Sequence, residues 1–325
     1  MMPSKQMGDA ATEAERALEA TLGRVPGWVD RAPRYHPVGG GITNSNFKVT
    51  MAGAGPAFFI KIPGRGTDAF IDRRAANQAA RNAHAAGLGP RVHHFFEDTG
   101  VEIAEFLEGM RSCNNLQFQD RSIRDMAIDC YQRFHGGAPL GLTKTVFDMI
   151  DEHVAQARGM GCAFPPDFAW LDWQCRLARG ALEASGLDLV ACFNDPMPMN
   201  LMLDAGASRM LMIDYEYASN NDRCYDLGIW FGEMFFTEAV EFELIERYFG
   251  RVDPAIVARC QLHKALADIK WGCWSIVQEK ASALEFDYAK YGGWKFTRAR
   301  SVMHDPRWER WLHSLWSYAG IWVTL

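Results

Sequence analysis

Asp195 and Asn200 stand five positions apart in ACFNDPMPMNLML, residues 191–203; Lys61 precedes them in AFFIKI and Asp214 follows in IDYEY. Alone, Asp195 reads as a turn residue, because Asp hydrogen-bonds its own backbone and Pro pre-sets the turn dihedral. The ordered set asks for more. Phosphoryl transfer needs a phosphate cradle, a Lys on the phosphates, an Asp for the attacking hydroxyl, and an Asn and an Asp for magnesium. Each role has a candidate in that order. The cradle candidate is the loop from Gly39 to Asn44, with Gly40, Gly41, Thr43 and Asn44 toward ATP, since absent side chains let backbone N–H groups approach phosphate oxygens. Any one of these features is commonplace; their order is not.

These residues need elements to position them. NFKVT (46–50) and AFFIKI (57–62) read as β-strands joined through MAGAGP as a hairpin. A period of two puts Phe58, Ile60 and Ile62 on one face and Lys61 on the other. A helix is predicted from Arg73 to Ala86, ended by Gly87 and Gly89-Pro90, with RVHHFF and VEIAEF as further strands. Beyond residue 120 the pattern turns helical: Ile123, Met126, Ala127, Cys130, Tyr131 and Phe134 form one apolar stripe. A second helix is predicted over 258–283, and LML and MLMI, linked by DAGAS, form a hairpin ahead of Asp214. The order of elements predicts an α+β, two-lobed protein-kinase-like fold. It has a strand-rich N-terminal nucleotide-binding lobe (1–105) and a mainly helical catalytic and substrate-binding lobe (106–325), with a hinge at Glu105 to Gly109.

The 325 residues are 48% hydrophobic and 23% charged, an ordinary globular composition apart from 11 Trp, which invites a search for an aromatic site. A net charge of −6 gives no electrostatic footprint for nucleic acid or for an anionic membrane surface. The eight cysteines include no C-x-x-C pair and read as reduced thiols, which predicts a cytoplasmic protein. The N-terminal stretch has no apolar run of signal-peptide length, and Trp308 to Leu325 is interrupted by Arg310 and His313. That last segment is expected as a docked helix, without membrane insertion. The choice between monomer and homodimer stays open.

GGGITNSNFKV, GTDAFIDRRAANQAARNAHAAGLGP, VEIAEFLEG, CFNDPMPMNLML and MIDYEYASNNDRCYDLG together resemble the choline and ethanolamine kinases, within the aminoglycoside-phosphotransferase-like group. The resemblance spans about Gly39 to Arg300. It implies ATP and Mg2+ as cofactors, Asp195 as the base or hydroxyl orienter, and Asn200 and Asp214 as metal ligands. Glu216 would serve the metal or substrate side, and Asp226 of CYDLG is expected as a helix cap. WGCWSIVQEKASALEFDYAKY, residues 271–291, resembles the choline kinase C-terminal motif. Trp271, Trp274, Phe286 and Tyr291 would then box a quaternary ammonium by cation–π attraction, each worth roughly 0.5–2 kcal/mol. For ethanolamine, Glu216 or Asp287 would supply an acceptor.

The chain departs from the family pattern twice. Phe193 stands where the catalytic loop, C-H-N-D-x-x-x-x-N, has His, so a rate penalty is expected. The helix after IDRR reads Ala75-Ala76-Asn77 and holds no carboxylate through Gly89, so Lys61 is expected to lack its usual ion pair. The leading expectation is a kinase for choline or a related amino alcohol, working by direct in-line transfer. The alternatives are an amine-binding pseudokinase with degraded catalysis and a kinase of another amino alcohol such as ethanolamine.

Overall fold

A computed structural model describes residues 4–39, 43–53, 55–282 and 284–318. The chain divides into two compact units, Met1–Arg111 with Met202–Tyr217, and Ser112–Leu201 with Ala218–Leu325. The first unit opens with β1 (Lys5–Gln6), α1 (Glu13–Arg24), β2 (Arg34–Val38), β3 (Asn44–Thr50) and β4 (Phe58–Pro63). It continues with α2 (Arg73–Ala85), β5 (Val92–Phe96), β6 (Val101–Glu105) and β7 (Met110–Ser112). The second begins with α3 (Arg121–His135), α4 (Val146–Gly159), α5 (Phe168–Ala184) and β8 (Leu189–Cys192). β9 (Leu201–Asp204) and β10 (Met210–Met212) return to the first unit. The second then resumes with β11 (Ser219–Asp222), α6 (Arg223–Met234), α7 (Glu238–Phe249), α8 (Pro254–Ala281), α9 (Tyr288–Met303) and α10 (Trp308–Tyr318). The predicted α+β class holds, with an antiparallel sheet in the first unit and mainly helices in the second.

In the first unit the six strands run β1-β2-β3-β4-β6-β5, each pair antiparallel. The alternation in β4 works as the sequence requires. Phe58, Ile60 and Ile62 are buried with Phe47, Val49 and Ile103, and Leu18 and Leu22 of α1 close over them. Each such side chain stabilises the unit by roughly 1.5–3 kcal/mol. α1 is fixed at its start by a capping box, Thr12 with Glu15, so its apolar stripe begins in register. The consequence for chemistry is that Lys61 leaves β4 on the face opposite this core. β9 and β10 form a separate hairpin beside β7, and the chain leaves β10 into Asp214.

α8 is the axis of the second unit. It is buried nearly all round, packing on α4, α6, α9 and α10, as a helix without a polar face must. Asp253 caps it and Pro254 fills its first turn, which moves its start four residues ahead of the expected 258. Gly272 is required for the α8–α9 contact: a Cβ there would lie 2.7 Å from Cζ of Phe296. In α3 the expected stripe holds except that Met126 is half-buried and Ile128 is fully buried, because the core wraps one position further round the helix. β8 and β11 form a small antiparallel sheet, Cys192 opposite Ser219. β11 carries no strand signal of its own, since SNND has neither β-branched residues nor alternation. Of the expected C-terminal helix, residues 319–325 lie outside the described residues. No helix among the described residues is long and apolar enough to cross a membrane.

Two buried histidines make the stability of this unit depend on pH. Burial, aided by the Lys270 charge, holds His153 down to about 3. Burial also holds His263 to about 4, against the pull of Asp222. The unfolded chain takes up these protons near the ordinary histidine value of about 6.5, so between there and about 4 it binds more protons than the folded chain. Stability therefore falls as pH drops through that window, by up to about 1 kcal/mol per pH unit for each histidine. Urea unfolding at pH 7, 6 and 5 checks this, and His263→Phe should flatten the slope.

Candidate active site

The first unit assembles a cluster of charge around Lys61. Strand register sets Lys61 beside Glu102 of β6 and Asn46 of β3. Its Nζ donates to Asp214 Oδ1 at 2.5 Å and lies 3.7 Å from Glu216 Oε1. The usual helix partner is absent, as expected, and Asp214 and Glu216 from the segment after β10 take its place. Asn77, at the carboxylate-free stretch of α2, donates from Nδ2 to Glu102 at 2.7 Å, and its own Oδ1 accepts from Arg81 Nε at 2.9 Å. The negative charge missing from the helix is carried by the neighbouring strand. Burial opposes a charged Lys61, yet Asp214, Glu216 and Glu102 outweigh it and raise its pKa above the usual lysine value.

Glu216 is the hub of this cluster. Its carboxylate accepts from Thr43 Oγ1 at 2.9 Å, from Asn44 Nδ2 at 2.7 Å, and from the Arg73 guanidinium at the start of α2. Burial would raise its pKa, but Lys61, Arg73 and these hydrogen bonds hold it below the ordinary carboxylate value. Both oxygens are engaged within this unit. Asp214 sits at φ +70°, a left-handed conformation that costs a non-Gly residue energy and is concentrated at functional sites. Burial pushes its pKa up, and the nearby Glu216 charge adds to this against the pull of Lys61. Gly40 and Gly41 lie outside the described residues.

In the second unit β8 delivers the catalytic-type loop. Asp226 of α6, fully buried, accepts the backbone N–H of Phe193 at 2.7 Å and of Asn194 at 2.6 Å. His135 Nε2 contacts the same carboxylate at 2.9 Å, and its Nδ1 meets Tyr248 Oη at 2.7 Å. The helix-cap reading of Asp226 is corrected, because Asp222 caps α6 by accepting from Cys224 N, and Asp226 holds the loop instead. Asn194 adopts φ +63°, with its side chain tied to Ser219 and Asn221 of β11. The Phe193 ring is fully buried, so this residue is braced by packing and by its backbone. Asn200 Nδ2 donates to Asp195 Oδ2 and to the Asp195 carbonyl, both at 3.1 Å, which closes the five-residue span. His135, Cys192 and Asp226 place potential ligand atoms within 4.8 Å of one another, but the carboxylate is committed to the loop backbone.

The aromatic residues of the same unit form one cluster. Trp271 and Trp274 meet edge to face at 5.5 Å, and Trp274 contacts Tyr288 at 5.8 Å and Tyr291 at 5.9 Å. Phe286 joins through Tyr288 and Tyr291 while staying 42% exposed. Trp274, only 1% exposed, is the packed centre of the cluster rather than an open face. Glu233 accepts from Lys295 and Arg298 next to these rings, and Lys295 lies over Tyr291. The charge of Asp195 acts on both Tyr291 and Lys270, which places the loop carboxylate and the ring cluster in one neighbourhood.

Sequence reasoning missed Glu102, Arg73, His135 and the true role of Asp226. Only Glu102 had a usable signal: Val101 and Ile103 face the core, so Glu102 must share the Lys61 side of the sheet.

A family model described as "Choline/ethanolamine kinase" matches residues 35–248. Probable choline kinase 2 of Arabidopsis thaliana is 23% identical over 317 residues, covering 87% of this chain and 90% of that one. Ethanolamine kinase 2 of Mus musculus is 29% identical over 266 residues, covering 74% and 68%. The crystal structure of a choline/ethanolamine kinase family protein from Mesorhizobium loti superposes with a TM-score of 0.78 at 28% identity, covering 92% of this chain and 98% of that one.

Proposed function

The chain belongs to the choline/ethanolamine kinase family, and from that premise we propose that it phosphorylates the hydroxyl of choline or a related amino alcohol. It is a phosphotransferase with an alcohol acceptor, and ATP is its phosphoryl donor. One observation carries the catalytic reading over that of an amine-binding pseudokinase: Lys61 is paired, with Asp214 and Glu216, although α2 offers it no carboxylate.

In this reading residues 1–105 bind the nucleotide, with Thr43, Asn44, Lys61 and the glycine loop toward its phosphates, and residues 106–325 supply the catalytic loop and the amine site. Lys61 exchanges Asp214 for phosphate oxygens when the nucleotide arrives. Asp214 and Asn200 would hold Mg2+, whose preference for hard oxygen donors they meet. Once Lys61 turns to the phosphates, Asp214 is left without its cation, and a divalent ion would offset that charge. The ion supplies charge neutralisation on the transferring phosphates. Asp195 accepts the hydroxyl proton as the substrate oxygen bonds to the γ-phosphorus and the bond to the bridging oxygen of ADP breaks. Glu216 orders Thr43, Asn44 and Arg73 behind the phosphates. Trp271, Phe286 and Tyr291 receive the amine end, with Trp274 packed behind them as their support. A cytoplasmic setting fits, since ATP is the donor and no disulfide joins cysteines among the described residues.

ATP consumption with magnesium, measured against choline, ethanolamine and an aminoglycoside, tests this directly. Turnover is expected with an amino alcohol and not with the aminoglycoside. Choline binding by calorimetry without turnover of any acceptor would sink the kinase reading in favour of a binding protein.

A further inference from the structure

Glu102 is the carboxylate of the Lys61 cluster that the functional reading leaves unused. Antiparallel pairing of β6 with β4 sets it directly opposite Lys61. Val101 and Ile103, which flank Glu102, are buried in the core, as are Ile60 and Ile62, which flank Lys61. Both charged side chains therefore leave the sheet on its other face. Side chains opposed in this way have Cβ atoms about 4.5–5.5 Å apart and interact across the strands. Glu102 is half-buried, and its Oε2 accepts from Asn77 Nδ2 at 2.7 Å, while Asn77 accepts from Arg81, one turn further along α2. Arg81, Asn77 and Glu102 thus form a chain from α2 to the strand beside Lys61. Burial raises the Glu102 pKa, and the charge of Lys61 is the largest influence against it.

The other two carboxylates acting on Lys61 have tasks elsewhere. Asp214 turns to Mg2+ in the functional reading. Glu216 approaches Lys61 through Oε1, which already accepts from Asn44 and Arg73. Glu102 uses only Oε2 toward Asn77, and its Oε1 makes no hydrogen bond among the described residues. We propose that Glu102 is a positioning residue that holds Lys61 on the nucleotide phosphates, performing from the strand the duty that a helix carboxylate has in protein kinases. When Lys61 gives up Asp214 for phosphate oxygens, β6 still presents a carboxylate beside it, fixed from α2 through the Asn77 amide. The helix supplies a hydrogen-bond donor where the family pattern has an acid. This inference rests on the reading that Lys61 meets the phosphates of ATP.

The sign of one substitution separates this role from simple charge. Glu102→Gln keeps the size of the side chain and still accepts from Asn77, so only the negative charge goes. A carboxylate acting merely as a charge near the triphosphate repels it, and its loss would tighten ATP. Loss of a positioning group instead leaves Lys61 to Asp214 and Glu216, which compete with the phosphates for it, and ATP binds more weakly. Calorimetry on the full chain with Mg-ATP is expected to show the Kd of Glu102→Gln raised about fivefold or more. Adenosine, which carries no phosphate, should shift by less than about twofold, and the KM for the amino alcohol should stay where it was. Asn77→Ala removes the brace and keeps the charge, and should weaken ATP in the same direction by about twofold to threefold. ATP binding that Glu102→Gln leaves unchanged or tightens, or an equal loss for adenosine, overturns the role of Glu102 while the kinase reading stands. Should Glu102→Gln fail to fold, Asn77→Ala decides with the same two ligands. A wild-type protein that binds ATP but turns over no amino alcohol overturns the kinase reading alone.

Discussion

Asp195→Ala is expected to lower kcat by about a thousandfold while the affinities for ATP and the amine change by less than about threefold. The argument begins with what holds the loop. Asp226 grips the N–H groups of Phe193 and Asn194, and Ser219 and Asn221 fix the Asn194 side chain, so none of the main anchors uses the Asp195 carboxylate. Asn200 loses one of its two acceptors but keeps the carbonyl of residue 195. The truncated loop should therefore stay in place. What disappears is the group that takes the hydroxyl proton, and general-base catalysis is worth roughly 10²–10⁴ in rate. Single-turnover kinetics beside calorimetry separates the two effects. Turnover within tenfold of the wild-type rate would remove Asp195 from the catalytic role.

The second large effect is expected at a residue that touches no substrate. Asp226→Asn keeps the size of the side chain but turns one acceptor oxygen into an NH2 donor. Whichever oxygen is lost, at least one of the Phe193 and Asn194 N–H groups then faces a donor in a fully buried site. A buried donor left unsatisfied costs about 1–3 kcal/mol, and hydrogen bonds to a charged acceptor are the stronger kind. His135 loses its carboxylate partner as well. We expect a loss of about 2–4 kcal/mol in urea unfolding and a fall in kcat of at least about tenfold with little change in either KM, because Asp195 is mispositioned rather than removed. Wild-type stability together with wild-type kcat would show that the loop holds its shape without this anchor.

The contrast between Asp195 and Asp226 marks what was legible in the chain. Asp195, Asn200 and Asp214 could be read because their spacing and order belong to one reaction. Lys61 could be placed because a period of two in AFFIKI leaves only one side of β4 for it, and the same logic applied to VEIAEF would have found Glu102. Asp226 could not be read: an Asp near a helix start is most often a cap, and Asp222 had already taken that place. Whether a carboxylate caps its own helix or reaches a loop more than thirty residues away is decided by what packs beside it.

The two departures from the family pattern were resolved at the same level. The missing helix carboxylate left the Lys61 pairing undetermined in sequence, because the partners come from a strand neighbour and from the segment after β10. Phe193 is accommodated because the backbone around it is held by Asp226. Lys270 was invisible for the opposite reason: in a motif matched by its tryptophans, a lysine passes as one more solvated charge. Its burial over Trp271 exists only in the packed helix bundle.

The sequence by itself determined the α+β class, the faces of the strands and helices, and the order of the residues for phosphoryl transfer. These follow from local periodicity and from the fixed demands of one reaction. Tertiary structure alone decided which carboxylate pairs with Lys61, which one braces the catalytic loop, and which cation lies on the aromatic cluster. Each depends on groups distant in the chain, and their energies are set by burial, which no local pattern encodes.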